Sequence, residues 1–295
     1  MTPEQSNEAI QPPKKTKKKK KNKLMRKILY YGLICVFAAV FVGSAVYIGN
    51  YMIESLEASS EYDAEASLRE SILADLATAT TQTDPPPQTD PSTGETVPPE
   101  PTEPVMLPEL VKTYNKNKDT VGWITVPGTK INYPVMQTPN KKDYYLKWNF
   151  KHVRSDWGAI YVREECDVFA PSDNLTIYGH HMKDGSMFAG LDKYKKKKFW
   201  TTHQTFSFDT LYERHTYQIW AVFKTSANAG EGFAYHHFVD AADEEAFNAF
   251  VAKVKSIDYY ETGITPKYGD KLLCLSTCEY TLDNGRFVVC AVRIS

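Results

Sequence analysis

The chain is 295 residues long, and its 42% hydrophobic and 13% aromatic content is enough for a substantial core in one or two domains. Its formal net charge of −1 conceals an uneven distribution, because basic residues crowd the first 27 positions and acidic residues follow the apolar run after them. The five cysteines lack dense spacing and form no CxxC pair, which argues against a disulfide scaffold and against a structural zinc site.

The first predicted element is a membrane helix. Residues 28–53 contain no Lys, Arg, Asp or Glu, and at about 1.5 Å per residue they give roughly 39 Å of helix, enough to cross a hydrocarbon core of about 30 Å. A secretory signal peptide has a shorter apolar region, about 7–15 residues. The sequence therefore predicts an uncleaved transmembrane helix, with the basic tail 1–27 in the cytoplasm and the rest of the chain outside the cell membrane. Since topology and anionic lipids explain the lysines, no nucleic-acid partner is predicted.

Residues 54–105 are predicted to form an extracytoplasmic stalk. The helix is expected to continue to about Ala77 with a weak apolar stripe, formed by Leu56, Leu68, Ile72, Leu73 and Leu76. From about residue 78 the chain is rich in Thr, Pro, Gln and acidic residues, a composition that cannot bury enough apolar surface to offset chain entropy. This part is predicted to be disordered and to hold a domain away from the bilayer.

The folded domain is predicted over residues 106–295, with a boundary that would let a chain lacking residues 1–105 keep its activity. A short helix is predicted over Pro108–Asn115. Strands are predicted in segments rich in β-branched and aromatic residues and separated by Gly, Pro, Asn and Asp. These segments are 122–126, 130–135, 158–162, 174–178, 205–209, 215–225, 271–276 and 286–294. A helix around 247–254, capped by Asp240 or Asp243, interrupts them. This pattern favours a mostly β fold, a closed or nearly closed barrel of about eight strands with inserted helices.

A candidate nucleophile lies at the end of the seventh predicted strand. Alternation along 273–280 places Cys274, Ser276 and Cys278 on one face, and Cys278 falls where apolar residues give way to polar ones. A thiol at a strand tip is accessible, as a nucleophile must be, although free cysteine is more often a small buried residue. Cys274 and Cys290 lie inside apolar strands and are interpreted as buried. For Cys278, position alone leaves open whether it is an accessible nucleophile or a small buried residue.

Two further side chains at strand ends suit thiol chemistry. His180 follows the strand that ends at Tyr178, and a thiol near pKa 8.5 needs a neighbouring base or cation. Arg286 opens the last strand eight residues after Cys278. A turn through 283–285 would form an antiparallel hairpin and bring its guanidinium back beside the thiol, where it could stabilise an oxyanion. A structural histidine and a solvated arginine are the alternative interpretations.

The remaining histidine pairs point to no metal site. His180 and His181 are adjacent and therefore point in different directions, and no third ligand lies at helical spacing. The pair His236 and His237 is predicted to lie in a surface loop. Neither a metal nor another cofactor is expected.

Taken together, these residues resemble the sortases, and the class B sortases in particular. The resemblance rests on Leu-Ser-Thr-Cys at 275–278, Tyr-Gly-His at 178–180 and Arg286 at the start of the following strand. It extends to Val-Gly-Trp-Ile at 121–124 and Tyr-Pro-Val at 133–135, and to the helical insertion before the last two strands. It covers essentially residues 106–295 and is specific, because the motifs occur jointly and in order.

The resemblance implies a sortase-type barrel and assigns roles residue by residue. It implies Cys278 as nucleophile, His180 as general acid and base, and Arg286 as stabiliser of the substrate and the transition state. Ser276 and Thr277 match positions that line the substrate site.

The implied reaction is transpeptidation by a cysteine enzyme of the peptidase class. The thiol would cleave a carboxy-terminal sorting signal, often after threonine, and a thioacyl intermediate would pass the protein to an amine of a peptidoglycan precursor. The implied partners are therefore surface proteins that carry such a signal, and the cell wall. Two alternatives stay open: a cysteine peptidase that releases surface proteins by hydrolysis, and a non-catalytic module that binds a partner through its aromatic loops.

Overall fold

The computed structural model describes residues 18–80, 104–228 and 230–295. The first 17 residues, which belong to the predicted basic tail, and residues 81–103, which make up most of the Thr- and Pro-rich part of the predicted stalk, lie outside the described residues. The chain divides into two compact units, one ending at Ile53 and the other comprising Glu54–Ser295. Each unit is described by itself.

The first unit is helical. Helix α1 spans Lys18–Thr80, and its portion before Glu54 carries large apolar side chains that are exposed, such as Phe41 at 74% and Tyr47 at 73%. Its most apolar window has a mean hydropathy of 2.2. By length and composition, this helix is able to cross a membrane, as the sequence predicts for 28–53.

The second unit is built on a closed barrel of eight strands, which confirms the predicted fold. The strands run in the order β1-β2-β3-β4-β7-β8-β6-β5, and β5 pairs with β1 to close the barrel. Their bounds are β1 Thr120–Thr125, β2 Asn132–Met136, β3 Ile160–Val162, β4 Asn174–Tyr178, β5 Thr205–Thr210, β6 Thr216–Ser226, β7 Leu272–Glu279 and β8 Gly285–Arg293. The β2–β3 and β4–β7 pairs are parallel and the other pairs are antiparallel, so the sheet is mixed.

Within the described residues, three shorter α-helices accompany the barrel: α2 Pro108–Lys116, α3 Lys197–Trp200 and α4 Glu244–Ser256. Helix α4 is the predicted insertion, and Asp243 caps it by accepting a hydrogen bond of 2.8 Å from the amide of Ala246. Its apolar face packs on β6, β7 and β8 in one core cluster, which includes Phe247, Val251, Val254, Trp220 and Val288. This packing rigidifies the two strands that carry the candidate nucleophile and the candidate arginine.

The second half of α1 packs against the barrel. Ala58, Tyr62, Glu65 and Arg69 are buried, and their spacing of four, three and four residues places them on one helical face. Arg69 forms an ion pair with Asp209 of β5 at 2.5 Å and lies over the ring of Trp123 in β1. Residues 54–80 thus belong to the compact unit of the barrel, whereas the sequence analysis placed them in the stalk.

The buried face of this helix differs from the predicted apolar stripe. Leu56 is 68% exposed, and the other members of that stripe are only partly buried. The helix instead buries tyrosine, glutamate and arginine, which pair with the loop before β3, helix α2 and strand β5 respectively. A search for apolar periodicity does not detect such a face.

Candidate active site

A cavity of about 280 Å³ opens where β4, β7 and β8 meet. Strands β4 and β7 run parallel with Tyr178 paired to Ser276, so His180 and Cys278 each lie two residues beyond the same pair. Strands β7 and β8 are antiparallel, and Cys278 pairs directly with Arg286. Strand register therefore brings the end of β4 and the β7–β8 hairpin to one cavity, and the side chains of His180, Cys278 and Arg286 all line it. This is the convergence that the sequence predicts.

Cys278 is more exposed to solvent than the other cysteines of the barrel unit. It is a free cysteine of intermediate burial, whereas Cys166, Cys274 and Cys290 are buried. Cys274 and Cys290 face each other across β7 and β8 inside the core cluster under α4, as expected for small apolar residues. Burial raises the pKa of Cys166 to about 11 and that of Cys290 well above its ordinary value. In the described part of the barrel unit, Cys278 is the cysteine that a substrate can reach.

The imidazole of His180 is oriented by a hydrogen bond to a main-chain carbonyl. Its Nε2 lies 2.7 Å from the carbonyl oxygen of Leu146, which can only accept a hydrogen bond, so Nε2 carries the proton and Nδ1 is left for proton transfer. Gly179 allows this placement, because a Cβ there would lie 2.5 Å from Ile160 and 2.6 Å from Phe188. The strand end is fixed by the hydrogen bond from the Gly179 amide to the Ser276 carbonyl, at 3.1 Å.

The environment of His180 favours the neutral imidazole. Burial is the largest influence and lowers its pKa below the ordinary value. Nearby Lys147 and Arg286 lower it further, while the hydrogen bond to Leu146 and the carboxylate of Asp156 oppose them. A neutral imidazole at neutral pH is able to accept a proton from a thiol.

Arg286 is oriented by its own turn. Its Nη1 donates to the Asn284 carbonyl at 3.2 Å, to Oδ1 of Asn284 at 3.1 Å and to the Gly285 carbonyl at 2.9 Å. The hydrogen bonds of this side chain to the described residues all use Nη1, which leaves Nε and Nη2 for a ligand. A guanidinium fixed in this way presents its remaining donors in a planar fork.

Ser276 and Thr277 also line the cavity, although both are almost fully buried. The Ser276 hydroxyl lies 2.5 Å from the Tyr235 hydroxyl, in the loop that covers β7. Within the described residues, Oγ1 of Thr277 is buried without a hydrogen-bond partner. The two side chains thus form part of the cavity wall.

The structure adds cavity residues that the sequence analysis did not assign. His236 is half-buried and lines the cavity, whereas His237 is exposed, as predicted for a surface loop. Tyr235 anchors this loop to Ser276. Burial, followed by Arg163, His237 and Arg286, lowers the pKa of His236 to about 4. Arg163 also lines the cavity, and no sequence motif marks it.

His181 has a different environment from His180. Its Nε2 lies 3.2 Å from Asp192, and its ring makes an edge contact with Tyr280. It does not line the cavity, which agrees with the choice of His180 as the candidate.

Comparison with known proteins identifies the family. The sortase domain model matches residues 124–294, more than half of the chain. The chain is a member of the sortase family. It is 34% identical to sortase B of Listeria monocytogenes over 183 residues, 61% of this chain and 72% of that protein. It is 32% identical to sortase B of Staphylococcus aureus over 186 residues, 62% of this chain and 74% of that protein.

Structural comparison gives the same fold. The S. aureus sortase B–substrate complex superposes with a TM-score of 0.67, covering 82% of this sortase and 99% of that chain at 23% identity. The resemblance to class B sortases drawn from the motifs is confirmed by these relatives.

Proposed function

We propose that this sortase is a membrane-anchored cysteine transpeptidase that cleaves a carboxy-terminal sorting signal and transfers the protein to a cell-wall amine. One observation carries the proposal: His180 and the hairpin residues Cys278 and Arg286, about a hundred positions further along the chain, line a single cavity. Family membership and the structure of a sortase B with its substrate support a peptide as the ligand of this cavity.

The first half of the proposed reaction forms a thioester. Nδ1 of the neutral His180 accepts the proton of the Cys278 thiol as the sulfur attacks the carbonyl carbon of the peptide. Nε and Nη2 of Arg286 stabilise the negative charge that develops on the carbonyl oxygen. The imidazolium then returns its proton to the departing amine as the carbon–nitrogen bond breaks, which leaves an acyl group on sulfur.

The second half transfers the acyl group. An amine of the cell wall attacks the thioester carbon and gives a proton to Nδ1 of His180. The carbon–sulfur bond breaks, a new amide forms, and the thiolate of Cys278 recovers a proton from the imidazolium. Ser276 and Thr277 are proposed to line the substrate site beside the reacting sulfur, since both lie on the cavity wall.

The apolar part of α1 supports a location in the cell membrane, with the amino terminus in the cytoplasm and the barrel outside. Substrates held at the same membrane would then meet the enzyme at a raised effective concentration. The proposed partners are surface proteins with a carboxy-terminal sorting signal and an amine of a peptidoglycan precursor.

A peptide assay tests the proposal. The full-length protein in detergent micelles is incubated with a library of peptides that fix threonine at the cleavage position, with and without triglycine as amine acceptor. We expect an acyl adduct on Cys278 by mass spectrometry, and a ligated product that increases with triglycine. Cys278→Ala should abolish both products.

Two results would contradict the proposal in different ways. A product distribution that triglycine leaves unchanged would indicate a hydrolytic peptidase with the same site. Full cleavage activity in Cys278→Ala would remove the thiol from the mechanism altogether. Cys274→Ala is the matched control, because this cysteine lies on the same strand but is buried under α4.

A further inference from the structure

Tyr62 of helix α1 anchors the loop that precedes β3. Its hydroxyl donates a hydrogen bond of 2.8 Å to the Gly158 carbonyl. The side chain is 3% exposed, and its ring makes an edge contact with Tyr133 at 5.3 Å. One buried hydroxyl therefore ties helix α1 to the end of this loop, two residues before β3.

The same helix holds this loop at a second point. Oε2 of Glu61 lies 3.2 Å from Nζ of Lys151 and accepts a hydrogen bond of 3.5 Å from the side-chain Nδ2 of Asn149. The Glu61 side chain is 8% exposed, so these contacts form at a largely buried position. Consecutive residues of α1 thus fix the middle and the end of the loop.

The loop begins next to Leu146, whose carbonyl oxygen binds the His180 imidazole. Gly158, which Tyr62 binds, has a φ of +56°, and a Cβ at this position would lie 2.4 Å from the Tyr145 carbonyl and 2.9 Å from the Leu146 carbonyl. The Ala159 amide donates to the same Tyr145 carbonyl at 2.9 Å. Leu146 in turn accepts the hydrogen bond from Nε2 of His180. The Gly158 peptide therefore packs directly against the backbone that fixes His180.

Helix α1 also reaches the segment that follows His180. Ser55 donates a hydrogen bond of 2.7 Å to Oδ2 of Asp184, and Nε1 of Trp157 donates to the same oxygen at 3.1 Å. Burial tends to raise the pKa of Asp184, but the hydrogen bonds from Ser186, Ser55 and Trp157 outweigh it and lower the pKa. An ionised Asp184 joins the helix, the loop before β3 and the segment after His180 in one network.

We propose that Tyr62 is a positioning residue for His180, acting through the Gly158 peptide and the Leu146 carbonyl, and that the helix 54–80 is a working part of the active site. This inference rests on the proposed role of His180. Under this proposal, the helix that follows the membrane segment helps to position His180 and is more than a tether.

Loss of the Tyr62 hydroxyl should have a defined signature. The loop would loosen at Gly158, and the Leu146 carbonyl would hold Nε2 less well. Because that hydrogen bond raises the pKa of His180 against burial, Lys147 and Arg286, weakening it should lower the pKa further. Misorientation of the imidazole should reduce kcat, on the order of tenfold, with little change in KM.

The test compares Tyr62→Phe with Tyr194→Phe in the full-length protein in micelles. Tyr194 is a matched control, since it is also buried and donates one hydroxyl hydrogen bond to a backbone carbonyl, that of His203 at 3.0 Å. Peptide cleavage gives kcat and KM, and histidine-selective NMR gives the titration of His180, assigned from the signal that His180→Gln removes. We expect Tyr62→Phe to lower both kcat and the pKa of His180, and Tyr194→Phe to change neither.

Two outcomes would overturn the proposal. The first is an unchanged His180 titration in Tyr62→Phe, whatever its effect on the melting temperature. The second is an equal loss of kcat in the two variants, which would reveal a general effect of stability. If the wild-type protein forms no acyl adduct on Cys278, the proposed transpeptidation fails, and the NMR titration still decides the role of Tyr62.

Discussion

The Arg286 guanidinium uses Nη1 for hydrogen bonds to its own turn, and Nε and Nη2 are left for a ligand. Three hydrogen bonds to Asn284 and Gly285 fix Nη1, and this fixes the plane of the remaining donors beside Cys278. Lysine keeps the charge but has neither the planar fork nor the anchoring to the turn. We therefore expect Arg286→Lys to lower kcat/KM for peptide cleavage about 100-fold, the loss typical of one oxyanion donor.

Steady-state kinetics and a melting curve check this expectation together. Arg293→Lys serves as the control, because Arg293 is the last residue of the same strand and lies outside the cavity. The melting temperature should be unchanged in both variants. Turnover near the wild-type value in Arg286→Lys would remove this arginine from the mechanism.

The cysteines provide a second test at the scale of single residues. Cys278 is partly exposed at a strand end, whereas Cys274 and Cys290 are each 1% exposed under α4. Since alkylation needs an accessible thiolate, iodoacetamide should modify Cys278 roughly tenfold faster or more, and activity should fall in step. Peptide mapping by mass spectrometry follows each site, and earlier modification of Cys274 or Cys290 would contradict the assigned accessibility.

At the scale of elements, local sequence patterns were sufficient to predict the positions of the strands. Every predicted strand segment overlaps an observed strand, because β-branched and aromatic runs between turn residues are typical of strands in a small barrel. The hairpin of β7 and β8 was predicted from the turn at 283–285, and the observed pairing of Cys278 with Arg286 follows from it. The sequence therefore placed two of the three candidate catalytic residues side by side.

Elements whose position depends on polar tertiary contacts were not predicted. The position of His236 at the cavity was not predicted, since nothing in the local sequence indicates that Tyr235 reaches Ser276. The face of α1 that packs on the barrel was not predicted either, because its buried residues include the polar side chains of Tyr62, Glu65 and Arg69. Hydrophobic periodicity identifies a face by apolar side chains alone.

At the scale of the whole molecule, helix 54–80 contributes to the stability of the barrel unit. Arg69 and Asp209 have side-chain exposures of 10% and 6%, so their ion pair is well shielded from water. Removing one partner of a buried pair typically costs about 3–5 kcal/mol, less where water can reach the remaining charge. Loss of the helix would also uncover Trp123, which is fully buried beneath Arg69.

Two truncated chains test this contribution. A chain that begins at Glu54 should cleave peptide like the full-length protein, whereas one that begins at Pro104 should melt several degrees lower and turn over on the order of tenfold more slowly. The slower turnover is expected because Tyr62 no longer holds the Gly158 peptide, and adding a synthetic peptide of residues 54–80 should restore part of it. Thermal melts and peptide cleavage provide the measurements. Equal stability and turnover in the two chains would show that the helix is dispensable and would restore the boundary near residue 106 that the sequence suggested.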